Sequence, residues 1–227
     1  MPSRYELYVK TAGDAGCRGS CPFSQRAFMF YTITNSEADL KTVSIDLSNK
    51  PESFLKLNPA GTCPVLIDHG ADDKTIGDSA DICKYLDVAD KDLRVNYDGP
   101  AAAATSEYFG KFFQYMRNQD ASESPKLKEN LIAALQKLED YLNTDSAKAV
   151  KFLIADHLCE IDCAHLPRLN QVRVAGKQFK GLDLEKDFPA IFKYLQNGYE
   201  TEAWKKTSPT DADVSKGWER HNPIVEK

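Results

Sequence analysis

The patterning of the chain predicts a small mixed α/β domain followed by a larger all-helical domain. Three observations carry this expectation. Alternating, β-branched runs are confined to residues 1–87, where helical stretches separate them. From residue 101 to 227 the recurrent pattern is helical, most plainly in Leu127, Leu131, Leu135, Leu138 and Leu142 at three-to-four spacing. Between the two, residues 88–100 carry charges, Gly and Pro and read as a linker. A chain of 227 residues has room for two such domains sharing an interface.

The elements follow in order. Tyr5 to Lys10 alternates and reads as a strand. A Gly-, Asp- and Cys-containing loop, Thr11 to Ser20, leads to a helix from Pro22 to about Thr34, with proline at the first helical position. Lys41 to Asp46 is a second strand, and Pro51 to Leu57 a short helix ended by Asn58-Pro59-Ala60-Gly61. Pro64 to Asp68 and Lys74 to Ile76 are short strands forming a hairpin; Ser79 to Leu86 is a closing helix, capped by Asp78 or Ser79. The order is βαβαββα, with a crossover between the first two strands. Beyond the linker, helices are expected over Ala101–Met116, across the leucine repeat, over Ile161–Val174 and over Phe188–Gln196.

Composition narrows the function classes. The net charge of −5, with no Lys/Arg run, argues against a nucleic-acid partner. No stretch of 18 or more apolar residues exists, so no constitutive membrane span is expected. The N-terminus enters the first strand almost at once, without a leader pattern, and the chain reads as cytoplasmic. In that compartment the six cysteines are expected to be reduced thiols rather than a disulfide framework. The Cys17/Cys21 and Cys159/Cys163 pairs and four scattered histidines lack the spacing of a zinc site, so no metal is expected.

Cys21 is the residue most suggestive of chemistry. It stands in Ser20-Cys21-Pro22-Phe23-Ser24-Gln25-Arg26, at a strand-to-helix junction. A cysteine just before an N-terminal proline faces unpaired helix amides and the positive end of the helix dipole, which favour an anion. Surroundings of this kind lower a thiol pKa from about 8.5 to roughly 3.5–7.5. The plainer alternative is an ordinary buried cysteine.

Cys21-Pro-Phe-Ser at a helix start, the proline of Thr62-Cys63-Pro64-Val65 before a strand, and the downstream Asp78-Ser79 resemble the thioredoxin-like glutathione-binding constellation of the glutathione transferase superfamily, in order, spacing and two-domain layout. Within it the chain is most similar to the plant-type dehydroascorbate reductases. Val9-Lys10, the Cys21 to Arg26 motif, Asp46-Leu-Ser-Asn-Lys-Pro51, Gly77-Asp78-Ser79-Ala-Asp-Ile82, and the tail segments Lys205-Lys-Thr-Ser-Pro209 and Gly217-Trp218-Glu219 carry the likeness. The resemblance implies that Cys21 is the nucleophile, with Lys10, Ser20, Phe23 and Ser24 on the substrate side. It implies that Lys50 reaches the glycyl carboxylate of glutathione, that Pro64 is cis and presents the Cys63 backbone to the cysteinyl unit, and that Asp78 and Ser79 hold the γ-glutamyl end. Ser24 stands where a dithiol enzyme has its second cysteine, so a second glutathione must resolve the mixed disulfide. Glutathione is then a co-substrate, dehydroascorbate and ascorbate are the other small-molecule partners, and no bound cofactor is expected. No interface patch is readable, and a monomer is expected.

Some positions depart from the pattern or invite a blander reading. The reductases usually carry an acidic residue before the nucleophile, where this chain has Ser20, which puts a substrate-orienting carboxylate in doubt. Cys17 could trap Cys21 as a disulfide. The superfamily's helix-capping Ser/Thr-x-x-Asp is here Cys159-Glu-Ile-Asp162, with the hydroxyl lost. His157 and His165, Trp204 and Trp218, and the run Tyr108-Phe109 to Phe112-Phe113 read as packing residues, with Trp218 bordering the cleft. The animal chloride intracellular channels share Cys-Pro-Phe-Ser-Gln-Arg and supply the alternative reading, a membrane-associated protein. Its inserting segment would run from about Cys21 to Val43 and include Arg26, Asn35, Glu37 and Asp39. Each acidic residue near a bilayer centre costs roughly 2.5–3.5 kcal/mol, which weighs against insertion.

Overall fold

The computed structural model describes residues 3–11, 19–34, 39–87, 91–221 and 223–226. Cys17, Asn35 and Glu37 lie outside the described residues, as do the first three positions of the 88–100 segment. The N-terminal part runs β1 (Tyr5–Lys10), α1 (Pro22–Thr34), β2 (Leu40–Ile45), α2 (Glu52–Leu57), β3 (Val65–Asp68), β4 (Lys74–Ile76) and α3 (Ser79–Leu86). This is the thioredoxin-like order expected. The sheet order is β2-β1-β3-β4, with β1 and β2 parallel and the other pairs antiparallel.

Strand alternation decides what covers each face of this sheet. Tyr5 and Leu7 of β1 point into the main core, where the Tyr5 ring meets Tyr31 of α1 edge-on at 5.5 Å. Tyr8 points the other way and stacks on Phe54 of α2 at 5.8 Å, in a smaller cluster with Ile45 and Val65. α1 is apolar on nearly all sides and is buried on both, between the sheet and the helical part, as such a helix must be.

The helical part comprises α4 (Pro100–Thr105), α5 (Tyr108–Arg117), α6 (Ser124–Leu142), α7 (Asp145–Lys148), α8 (Glu160–Gln171), a π-helical turn (Val172–Gly176), α9 (Lys177–Lys180), α10 (Leu184–Asp187), α11 (Pro189–Tyr199), α12 (Glu202–Thr207) and α13 (Asp211–Glu219). The expected helix over 101–116 is two helices. The Thr105 and Ser106 hydroxyls donate to the carbonyls of Ala101 and Ala103, a local bonding that loosens a helix at that point. The expected helix over 161–174 ends as α8 at Gln171, and the chain continues through the π turn into α9. In α6 Leu131, Leu135 and Leu138 are buried, whereas Leu127 and Leu142 sit at the core's margin. α8 is buried along its length apart from Arg168 and packs on α1, so it is the central helix between the two parts. Asp162 closes a capping box with Cys159, its carboxylate accepting from the Cys159 N–H at 2.9 Å. Residues 91–99 are tied to this helix, since the Glu160 N–H donates to the Leu93 carbonyl at 2.9 Å.

Candidate active site

The site forms where the end of β1, the start of α1, the loop before β3 and the terminal helix α13 converge. The first α-helical bond of α1 runs from the Gln25 N–H to the Cys21 carbonyl, at 3.0 Å. Cys21 therefore stands at the helix start, where the leading amides have no helical partner, and it is partly exposed. The Lys10 N–H donates to the buried Ser24 hydroxyl at 3.4 Å, joining the strand end to the first turn of α1.

Lys10 is mostly enclosed. Burial lowers its pKa, the neighbouring Arg220 charge lowers it further, and the Cys21 and Cys63 thiols oppose both. These four residues lie within electrostatic reach of one another. The Cys63–Pro64 peptide is cis, as expected. Burial and the nearby Cys21 push the Cys63 thiol up to about 12, against the pull of Lys10 and Lys50, so it stays protonated at neutral pH. Cys63 thus differs sharply from a reactive thiol. Lys50 is exposed and lies over Gly61, where a Cβ would stand 2.8 Å from its Nζ.

Asp78 is the N-cap of α3, its Oδ1 accepting from the Ala80 N–H at 2.7 Å and the Asp81 N–H at 3.3 Å. Its side is open to solvent, so capping does not close it off. Ser79 is buried, and its hydroxyl accepts from Nη1 of Arg26 at 3.4 Å. Arg26 also donates from Nε to Oε1 of Glu160 at 2.9 Å, and its Nη2 pairs with the same oxygen. This bridge ties α1, α3 and α8 together. Phe23 is 40% exposed beside the nucleophile, edge-on to Phe109 at 6.2 Å, with the Arg168 guanidinium 5.4 Å from its ring centre.

The support behind Ser20 escapes sequence reasoning. Ser20 is buried, and its carbonyl accepts from Nε2 of Gln171 at 3.1 Å, while Oε1 of Gln171 accepts from the Trp218 indole at 2.8 Å. Two glycines make room for this. A Cβ on Gly19 would fall 1.7 Å from the Lys10 carbonyl oxygen, and one on Gly217 would fall 2.1 Å from the Ser20 hydroxyl. Trp218 packs on Phe112 and Phe113, so the aromatic run is core only in part: Phe112 is buried and Phe113 is 36% exposed. His165 and His157 make structural contacts. Nδ1 of the buried His165 meets the Tyr108 hydroxyl at 3.0 Å, and burial holds its pKa well down; Nε2 of His157 meets the Asp92 carbonyl at 2.8 Å.

Residues 20–89 match the glutathione S-transferase N-terminal domain family. Across the whole fold the chain is similar to a dehydroascorbate reductase of Chlamydomonas reinhardtii, at 27% identity over 96% of this chain and 98% of that one, with a TM-score of 0.83. The CLIC homologue EXC-4 of C. elegans superposes with a TM-score of 0.78 at 21% identity, over 100% of this chain and 85% of that one. Glutathione transferase Omega 3C of Trametes versicolor does so at 0.72 and 16%, over 92% and 91%. The last two likenesses are of fold alone. Among the described residues no helix is long and apolar enough to cross a membrane, and the first part of the segment an insertion would use is the buried α1. The match over residues 20–89, the thioredoxin-like order of the N-terminal part and the helices that follow it together give the chain a glutathione transferase-like architecture.

Proposed function

We propose that the protein is a glutathione-dependent dehydroascorbate reductase with Cys21 as its nucleophile. The observation that carries this reading is a partly exposed cysteine at the N-terminus of α1, with the enclosed Lys10 and the Cys63 of the cis Cys63–Pro64 peptide within electrostatic reach of it. The likeness to a dehydroascorbate reductase over nearly the full length of both chains supports the choice of substrate.

The Cys21 thiolate attacks a carbonyl carbon of dehydroascorbate, forming a carbon–sulfur bond while the carbonyl electron pair moves to oxygen. The oxyanion develops beside Lys10, whose ammonium stabilises it. Water then attacks the Cys21 sulfur of this adduct: a sulfur–oxygen bond forms, the carbon–sulfur pair stays with the substrate, and the ascorbate anion leaves with one of the water's protons, so Cys21 is left as a sulfenic acid. Glutathione condenses with that sulfenic acid, forming the mixed disulfide and releasing water. A second glutathione attacks the mixed disulfide, releasing glutathione disulfide and the Cys21 thiolate. Two glutathiones supply the two electrons, and no further reductant is needed. Lys50, Asp78 and Ser79 are assigned to the two ends of glutathione, and Ser24 to the position that leaves no internal thiol to resolve Cys21. The reading includes a monomer working in the cytoplasm, where thiols are kept reduced.

The covalent cycle predicts ping-pong kinetics. Initial rates measured over a grid of glutathione and dehydroascorbate concentrations should give parallel double-reciprocal lines. Lines that intersect to the left of the axis would mean both substrates are bound before chemistry, and would overturn the covalent cycle.

A further inference from the structure

A second feature lies close to Cys21, because it is lined by Ser20, the preceding residue, and by Lys10, which is within electrostatic reach of the thiol. Lys10, Ser20, Asp46, Ser48, Lys216 and Arg220 line a cavity of about 210 Å³ that opens between the end of the sheet and α13. That is below the roughly 300–1,000 Å³ of drug-sized sites, so it fits a small ligand. Among the described residues three cations face it against one carboxylate. Asp46 is turned to Ser48, accepting from its N–H at 2.8 Å and its hydroxyl at 2.6 Å. Among the described residues, none of Lys10, Lys216 and Arg220 forms an ion pair. The concentration of positive charge also reaches beyond the cavity, because Arg220 depresses the pKa of both Lys10 and His221. In a chain of net charge −5 such a group is out of balance with its surroundings.

We propose that Lys216 and Arg220, together with Lys10, make this cavity select small molecules that carry or develop negative charge beside Cys21. The proposal rests on Cys21 as the reactive thiol. Ser20 belongs to the same account. It stands next to Cys21, lines the cavity, and supplies a hydroxyl where a carboxylate would cancel part of the positive field. Gly217 lets α13 approach Ser20 closely, bringing Lys216 and Arg220 to the cavity. In the reaction proposed above, a neutral substrate becomes an anion, so the field stabilises the charge as it forms.

Charge selectivity can be read without turnover, by alkylating Cys21 in the full chain with anionic iodoacetate and with neutral iodoacetamide at one pH. Peptide mass spectrometry isolates the Cys21 adduct, and the ratio of the two rates cancels the thiolate fraction. Relative to the same ratio for the neutral thiol 2-mercaptoethanol, the ratio should be raised about tenfold, the lower end of the local enrichment a focused field gives. It should fall severalfold in Lys216→Ala and Arg220→Ala, return in Arg220→Lys, and decline as salt is added. Both positions are exposed, so the variants are expected to fold. A ratio equal to that of 2-mercaptoethanol, or one unmoved by both alanine variants, would overturn the proposal. A raised ratio in a protein that forms no ascorbate would keep the anion cavity and remove the reductase reading; a flat ratio with full turnover would do the reverse.

Discussion

Replacing Arg26 with methionine is the perturbation whose size follows most directly from the structure. The Arg26 and Glu160 side chains are only 13% and 10% exposed, and their pairing joins α1, which carries Cys21, to the central helix α8. Burial pulls the guanidinium's pKa down, but the Glu160 carboxylate, with Cys83 and Asp78 adding to it, makes the net effect upward. Methionine keeps most of the stem's packing and leaves Glu160 as an enclosed charge without its partner. Breaking a buried pair from one side costs about 3–5 kcal/mol, and residual exposure places this pair near 3. For a chain of this size that is a fall of roughly 6–12 °C in Tm. Adding Glu160→Gln removes the orphaned charge and should restore at least half of the loss. Thermal unfolding by circular dichroism of Arg26→Met, Glu160→Gln and the double variant closes the cycle. A single-variant loss below about 1 kcal/mol, or a double variant less stable than Arg26→Met, would show that the pair does not couple the two parts as argued.

Two further substitutions test the packing behind the site. Gly217→Ala gains up to about 1 kcal/mol of helix propensity but drives a methyl into Ser20, at an overpacking cost of roughly 1–3 kcal/mol. Urea unfolding should therefore show a net loss, recovered when Ser20→Gly is added; a stabilised single variant would contradict the contact. Asp162 provides a pH test. Burial pushes its carboxyl up to about 6, even though the Cys159 and Leu153 amides and the Tyr194 hydroxyl donate to it. An unfolded aspartate titrates near 3.9, so between about pH 4 and 6 the folded state holds a proton that the unfolded state has released. The stability of wild type relative to Asp162→Asn should accordingly rise as pH falls from 7 to 5, and stay level above about 7. A relative stability that falls over that interval would reverse the sign assigned to Asp162.

Local chemistry made much of this fold legible. Pro22 starts α1 and Asp78 caps α3 where expected, and alternation placed β1 and β4 at their observed bounds, because each signal resides in a few consecutive residues. The break at Ser106 was not legible, since it depends on hydroxyl-to-carbonyl bonds, and neither was the π turn after Gln171, where the helical pattern runs on without a break signal. The same division holds in the site. Cys21, Lys10 and Pro64 are marked by their neighbours in sequence. Arg26 stands in the Cys21 motif, but its role depends on Glu160, 134 residues away. The Trp218–Gln171–Ser20 chain likewise joins residues 47 and 151 apart in sequence, and no spacing rule connects them. Gly217 looked like part of a family tail; its function is to clear space for a serine that only the fold brings near.

The central claim is that Cys21 carries electrons from glutathione to dehydroascorbate. The most direct test follows ascorbate by its ultraviolet absorbance in mixtures of dehydroascorbate and glutathione, with wild-type protein and with Cys21→Ser of verified fold. The account predicts turnover well above the uncatalysed rate in the wild type and none above it in Cys21→Ser. Wild-type protein that adds nothing to the uncatalysed rate, or a serine variant that keeps the activity, would contradict it.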